Sequence, residues 1–198
     1  MEIRRLDERE VQAAVEMTHE VFETYMRRYL RSQSEAEQFY AYVNTETLRR
    51  EMSEGRLLLW GAFEAERLCG VAGMQPGGHI TMLYVIPQRF GERIGTRLLY
   101  TMCTCARDVY HQERITVHVL PMAAARYFYH RGFGMIPNAA VGIFLPLEGR
   151  AAAILPKRTE VVYRIRRIKT WHAAVIAAGV LTFCTLILVG ATFWQMML

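Results

Sequence analysis

Residues 82 to 99 read MLYVIPQRFGERIGTRLL. Met82 to Ile86 are apolar or aromatic and favour a strand, and Pro87, which cannot donate to a ladder, ends it. Gly91 and Gly95 lie in a short loop, after which Leu98, Leu99, Met102, Cys105 and Ala106 recur at helical spacing and predict a helix over 95–109. The first amides of that helix have no internal partner, so the strand, loop and helix together form a seat for an anion such as a pyrophosphate. No Gly-Lys-Ser/Thr follows the glycines, which excludes a Walker loop. Hairpins rather than a βαβ unit precede them, which argues against a dinucleotide fingerprint.

Upstream, RLLLWGAF (56–63), RLCGVAGMQ (67–75) and HITMLYVI (79–86) are rich in strand formers and are separated by Glu64-Ala65-Glu66 and Pro76-Gly77-Gly78. They predict an antiparallel meander. Downstream, RITVHVL (114–120) reads as a further strand, and residues 122–131 as a helix stopped by Gly132. At the N-terminus a strand over 2–6 leads to Asp7 and Glu10, which suit a capping box, and to a helix carrying Val11, Ala14, Val15, Thr18, Val21, Phe22 and Met26 on one face. A second helical region, 34–52, is interrupted near Asn44-Thr45 and turns Phe39, Tyr42, Val43, Leu48 and Met52 inward. Phe22, Tyr25, Tyr29, Phe39, Tyr40 and Tyr42 are expected to be mostly core, with a few available to line a pocket. Residues 141–146 and 160–168 supply two more strands. The order predicts an α/β (α+β) domain, a mixed sheet with helices on its faces.

The chain has 198 residues, with 24 Lys and Arg against 19 Asp and Glu. Six of those basic residues and one acidic residue lie in 157–169, so residues 1–156 balance at 18 of each sign. A nucleic-acid binder would carry its basic surplus on the folded body, so nucleic acid is not an expected partner. The basic stretch instead precedes AAVIAAGVLTFCTLILVGATFW (173–194), 22 residues without a charge. As a helix rising about 1.5 Å per residue, this run spans the roughly 30 Å of a bilayer core. Trp171 and Trp194 flank it as interfacial anchors. The expectation is a domain over 1–169, with 157–169 as a basic juxtamembrane strand, and a C-terminal transmembrane helix over 170–198. The positive-inside tendency makes the protein single-pass with a cytoplasmic domain.

MEIRRLDERE at the start has charges where a signal peptide needs an apolar core, so no cleavable leader is expected. Cys69, Cys103 and Cys105 then face a reducing compartment. Without any Cys/His set at zinc spacing they read as small buried hydrophobes, and no metal is expected.

A second motif, AARYFYHRGF (124–133), follows the first at the expected distance. Together the two motifs resemble the GNAT superfamily of acetyl-CoA-dependent N-acetyltransferases, over about residues 2–168. The resemblance implies a mostly antiparallel sheet and acetyl-CoA as co-substrate. In the family's loop, an Arg or Gln, then two residues, a Gly, one residue and a Gly or Ala hold the pyrophosphate through backbone amides. In this sequence Phe90 stands at the Arg/Gln position, Arg93 at the first Gly and Gly95 at the second. The implied cofactor-binding set is therefore Phe90, Gly91, Glu92, Arg93, Ile94, Gly95 and Thr96, with Leu83, Tyr84 and Val85 on the preceding strand and Phe128 on the later helix.

The resemblance also implies roles. The N–H of Leu83 would stabilise the oxyanion. His79 stands where arylalkylamine-type members carry a histidine and is a candidate base, with His118 as a second. The family's general acid is a tyrosine. Ungapped alignment puts Phe128 there and a one-residue deletion puts Tyr129 there; Tyr129 is the candidate acid, with Tyr127 or water as alternatives. The reading is an acetyltransferase acting by direct attack of an amine, borne on a small molecule or a protein, in a ternary complex at the membrane. The competing reading is a degenerate GNAT fold serving as a CoA sensor or protein-binding module.

Overall fold

A computed structural model of the chain describes residues 1–120, 122–139 and 144–156. Strand β1 (Glu2–Arg5) runs into helix α1 (Val11–Val21), and the junction is a reciprocal cap. Asp7 Oδ1 accepts from the N–H groups of Arg9 (2.9 Å) and Glu10 (3.2 Å), while Glu10 Oε2 accepts from the N–H of Asp7 (3.0 Å). Past Val21 the helix widens into a π-helical turn over Phe22–Met26, then tightens into a 3₁₀ turn over Arg27–Tyr29.

The predicted second helical region is two helices, α2 (Gln33–Tyr42) and α3 (Thr45–Ser53), divided where expected. Asn44 caps α3 by accepting from Thr47 N–H at 2.8 Å. The meander follows as β2 (Leu58–Glu64), β3 (Arg67–Met74) and β4 (His79–Val85), then helix α4 (Ile94–Asp108), strand β5 (Arg114–Val119) and helix α5 (Met122–Tyr129). The chain then forms β6 (Phe133–Met135), β7 (Leu145–Arg150) and a short helix, α6 (Ala151–Ile154).

The seven strands form one mixed sheet in the order β1-β2-β3-β4-β5-β7-β6. Every neighbouring pair is antiparallel except β4 with β5. Consecutive residues of β2 and β3 are buried, so both faces are covered. Both α1 and α4 pack on β3 and β4, one helix to each face. Leu59, Val71, Met74, Leu98, Leu99 and Met102 are fully buried in the resulting core.

Two strand predictions need correction. Among the described residues, pairing near the C-terminal end covers Leu145–Arg150 and so runs past the expected end at 146, because a proline is tolerated near a strand's start. The short β6 was missed, since three residues around Gly134 carry too little alternation to signal a strand. Residues 141–143, the predicted strand over 160–168, the basic stretch 157–169 and the apolar run 173–194 lie outside the described residues. Among the described residues no helix is long and apolar enough to cross a membrane.

Candidate active site

The decisive local feature lies between β4 and β5. Their parallel pairing comprises only His79 with Thr116 and Ile80 with Val117, preceded by a hydrogen bond from Thr116 N–H to the Gly78 carbonyl at 3.0 Å. On the other side of β4, pairing with β3 skips a residue. Met74 lies opposite Ile80 and Gly73 opposite Met82, leaving Thr81 as a bulge. A bulge bends the strand that carries it. Here the bend comes one residue after the last contact with β5, so β4 leaves its neighbour and the sheet opens.

The opening leaves part of the β4 backbone without a strand partner. Ile86 N–H donates to the Cys69 carbonyl of β3 at 3.0 Å, and hydrogen-bonding direction alternates along an antiparallel strand. The peptide groups of Tyr84 and Met82 therefore also face β3, while those of Leu83 and Val85 face the gap. This gap is one wall of a cavity of about 900 Å³. Leu83, Tyr84 and Val85 all line it, as do Phe90, Gly91, Arg93, Ile94, Gly95, Thr96 and Phe128. Burial pushes the Tyr84 phenol up to about 12, so it stays protonated.

The loop after β4 shows why its sequence has the pattern it does. Gly91 has φ +87° and Arg93 has φ +61°, both in the left-handed region. Arg93 thus adopts, as a side-chain-bearing residue, the backbone conformation for which glycine is the usual choice. It immediately precedes α4, where the first-turn amides have no helical acceptor and the dipole favours an anion. A Cβ placed on Gly95 would meet the Tyr127 hydroxyl at 3.5 Å and Val85 Cγ2 at 3.6 Å, ordinary contacts at the edge of the cavity. Phe90 is 57% exposed and meets Tyr25 edge to face at 5.6 Å. Glu92 is not among the lining residues; it pairs with Arg89, which is also paired with Glu64.

The remaining predicted residues separate. Phe128 is buried against Phe133 and faces the cavity, whereas Tyr129 is 39% exposed and is not part of the lining. Tyr127 is the tyrosine of this helix that lines the cavity. Its hydroxyl is buried beside Thr96, whose Oγ1 accepts from Arg131 at 2.6 Å, and makes no well-formed hydrogen bond of its own. Burial raises the Tyr127 phenol above its ordinary range.

Arg131 also donates to the Tyr127 carbonyl at 2.8 Å, and its guanidinium carbon lies 3.6 Å above the Tyr127 ring. It therefore fastens α5 to the start of α4. The sequence reading did not single out Arg131, although its position four residues after Tyr127 places the two on one helical face.

Of the two histidines, His118 lines the cavity. His79 is not part of the lining. Its Nδ1 lies 2.9 Å from Thr116 Oγ1, and its ring meets that of His118 edge to face at 5.0 Å. Burial, with a smaller contribution from His118, lowers the His79 pKa below the ordinary imidazole value and keeps the ring neutral.

Of the six aromatics noted between residues 22 and 42, Phe22, Tyr25, Phe39 and Tyr42 line the cavity, while Tyr29 and Tyr40 do not. Cys69 and Cys103 are buried, and burial raises the Cys103 thiol to about 12, out of reach of ordinary thiolate chemistry. Among the described residues no group of three or more His, Cys, Asp or Glu is placed to hold a metal.

The strand parts from its neighbour after two paired residues and leads through a turn into a helix start whose free amides suit an anion. The family model described as "Acetyltransferase (GNAT) domain" matches residues 25–141. The chain belongs to the GNAT acetyltransferase family. Solved structures of the same fold include PaiA N-acetyltransferase of Thermoplasma acidophilum in complex with coenzyme A. It is 19% identical with a TM-score of 0.65, over 75% of this chain and 98% of that one. YncA of Salmonella typhimurium with its cofactor acetyl-CoA is 16% identical at a TM-score of 0.55, over 82% and 98% of the two chains. The spermidine N-acetyltransferase SpeG of Vibrio cholerae is 11% identical at 0.53, over 78% and 98%. No curated protein matches the chain.

The GNAT site suits acetyl-CoA as a co-substrate on three counts. Unpaired strand amides face the cavity, free helix-start amides stand beside Arg93, and a buried hydroxyl at Tyr127 awaits a partner.

Proposed function

We propose that the protein transfers an acetyl group from acetyl-CoA to an amine by direct attack in a ternary complex. The observation that carries this reading is the parting of β4 from β5, which exposes peptide groups to a cavity beside the start of α4. Acetyl-CoA supplies the activated thioester. The amides of Ile94, Gly95 and Thr96, with Arg93, hold its phosphates, and the β4 backbone holds its extended arm. The Leu83 N–H stabilises negative charge developing on the carbonyl oxygen.

His118 and His79 form the proton-accepting pair. His118 faces the acceptor, and His79, kept neutral by burial, stands behind it. Water protonates the departing thiolate, because the Tyr127 hydroxyl lies beside Gly95 and Thr96, at the phosphate end of the cavity. The run 173–194 anchors this domain at the cytoplasmic face of a membrane, and the basic stretch 157–169 meets the anionic headgroups. Tethering raises the local concentration of membrane-associated acceptors.

Calorimetric titration of acetyl-CoA into the full chain tests the core of the proposal. Saturable binding followed by amine-dependent thiol release supports it, and absence of binding by the folded protein refutes it. A second reading has its own observation: ungapped alignment puts buried Phe128, which has no hydroxyl, at the family's tyrosine position. In that case the fold binds CoA at the membrane as a sensor. Tight binding without turnover on any amine favours this alternative.

A further inference from the structure

The acceptor side of the cavity has a chemistry of its own. Phe22 and Phe39 stack with ring centroids 3.6 Å apart at 6°, and both line the cavity, as do Tyr25, Met26, Leu30 and Tyr42. The π-helical turn over Phe22–Met26 brings three of these side chains, Phe22, Tyr25 and Met26, to the same wall.

The charged groups complete the picture. Among the described lining residues Glu35 is the one carboxylate, against Arg89, Arg93 and Arg131. Glu35 Oε2 accepts from Arg31 N–H at 2.7 Å and its backbone N–H donates to Ser32 Oγ at 3.3 Å, which holds it at the start of α2. An acceptor with several ammonium groups would need several carboxylates to offset the desolvation of its charges, and the described lining supplies one.

We infer that the acceptor is a primary amine borne on an uncharged apolar group, an aromatic ring or an alkyl chain, and that the wall of Phe22, Tyr25, Met26, Leu30 and Phe39 selects it. The inference rests on the acetyltransferase reading and deepens it. The wall also favours the chemistry. An ammonium entering apolar surroundings loses hydration, its pKa falls, and the free amine that attacks a thioester becomes more abundant. The residual proton then passes to His118.

The test uses the full chain with three probe amines at equal concentration: 2-phenylethylamine, octylamine and spermidine. Acetyl transfer is followed as thiol release. The expected result is kcat/KM for at least one apolar amine about tenfold or more above that for spermidine. A preference for 2-phenylethylamine identifies an aromatic acceptor, and a preference for octylamine identifies an alkyl one. Met26→Glu, which adds a carboxylate to the wall, lowers the apolar value about tenfold and narrows the gap to spermidine, while KM for acetyl-CoA is unchanged; Leu30→Glu repeats the test if the first variant does not fold. Spermidine acetylated as well as both apolar amines overturns the inference.

Direct binding of 2-phenylethylamine and octylamine to the protein keeps the two readings apart. Failure of acetyl-CoA to bind defeats the acetyltransferase reading alone. Failure of both apolar amines to bind, with acetyl-CoA bound normally, defeats this inference alone.

Discussion

Gly78 joins the β3–β4 turn to the one stretch where β4 touches β5, and Gly78→Ala therefore tests whether that junction sets the cavity. Two costs add. Gly78 has φ +85°, where an alanine is strained by about 1–2 kcal/mol. A Cβ at this position would also lie 2.7 Å from the Arg114 carbonyl oxygen, a backbone atom that cannot swing aside. Relieving such an overlap costs about 1–3 kcal/mol. Against these, alanine lowers the entropy of the unfolded chain and returns about 0.4–1 kcal/mol. The net loss is about 1–4.5 kcal/mol, which for a domain of this size lowers Tm by about 2–18 °C.

Gly77→Ala is the matched control, because its Cβ would meet nothing within 4 Å and its φ lies outside the left-handed region. It should stay within about 0.5 kcal/mol of the parent. Thermal unfolding of the two variants, with acetyl-CoA titrations below their transitions, checks both parts. Gly78→Ala is expected to melt early and to bind acetyl-CoA more weakly, since the overlap pushes β5 from the start of β4. Equal melting of the two variants would refute the steric argument. Early melting with unchanged affinity would refute the link from junction to cavity.

Because burial lowers the His79 pKa, the acid limb of kcat at saturating substrates should lie below 6.5, and His79→Gln should remove that limb; a limb above 6.5 that survives the substitution excludes His79. Gly95→Trp should abolish acetyl-CoA binding while Gly95→Ala preserves it, since a Cβ there makes only ordinary contacts and an indole fills the space beyond; calorimetry on both variants decides. Tyr127→Phe should leave Tm within about 1 °C, having removed a hydroxyl with no partner, and should weaken acetyl-CoA binding while leaving kcat unchanged, because that hydroxyl lies at the phosphate end of the cavity. Tyr129→Phe should change none of the three, and a kcat loss confined to Tyr129→Phe would overturn the assignment to water.

Periodicity and turn chemistry made much of the fold legible. Asp7 with Glu10, Asn44 before Thr45, and Gly132 at φ +85° are local signals, and each stands where the local reading put it. The C-terminal strand was less legible because Pro146 sends opposite messages at a strand's start and in its interior. Among site residues, Leu83, Tyr84, Val85 and Gly95 followed from one contiguous motif and line one cavity. The tyrosine was harder to assign. Tyr127, Phe128 and Tyr129 are consecutive, and a helix sends consecutive residues in directions about 100° apart, so only packing tells which one looks inward.

The sequence by itself determined the strand-proline-loop-helix unit, the neutral charge of the body and the apolar run near the C-terminus, because each is a property of neighbouring residues. The tertiary structure alone decided three things: the parting of β4 from β5, the approach of Arg131 to Thr96, and the joining of Phe22 to Phe39 in one wall. The parting depends on which residue of β4 is left over when β3 pairs with it, and the other two bring together residues 35 and 17 positions apart. Such outcomes are set by competition between long-range pairings, and no local window of sequence contains that competition.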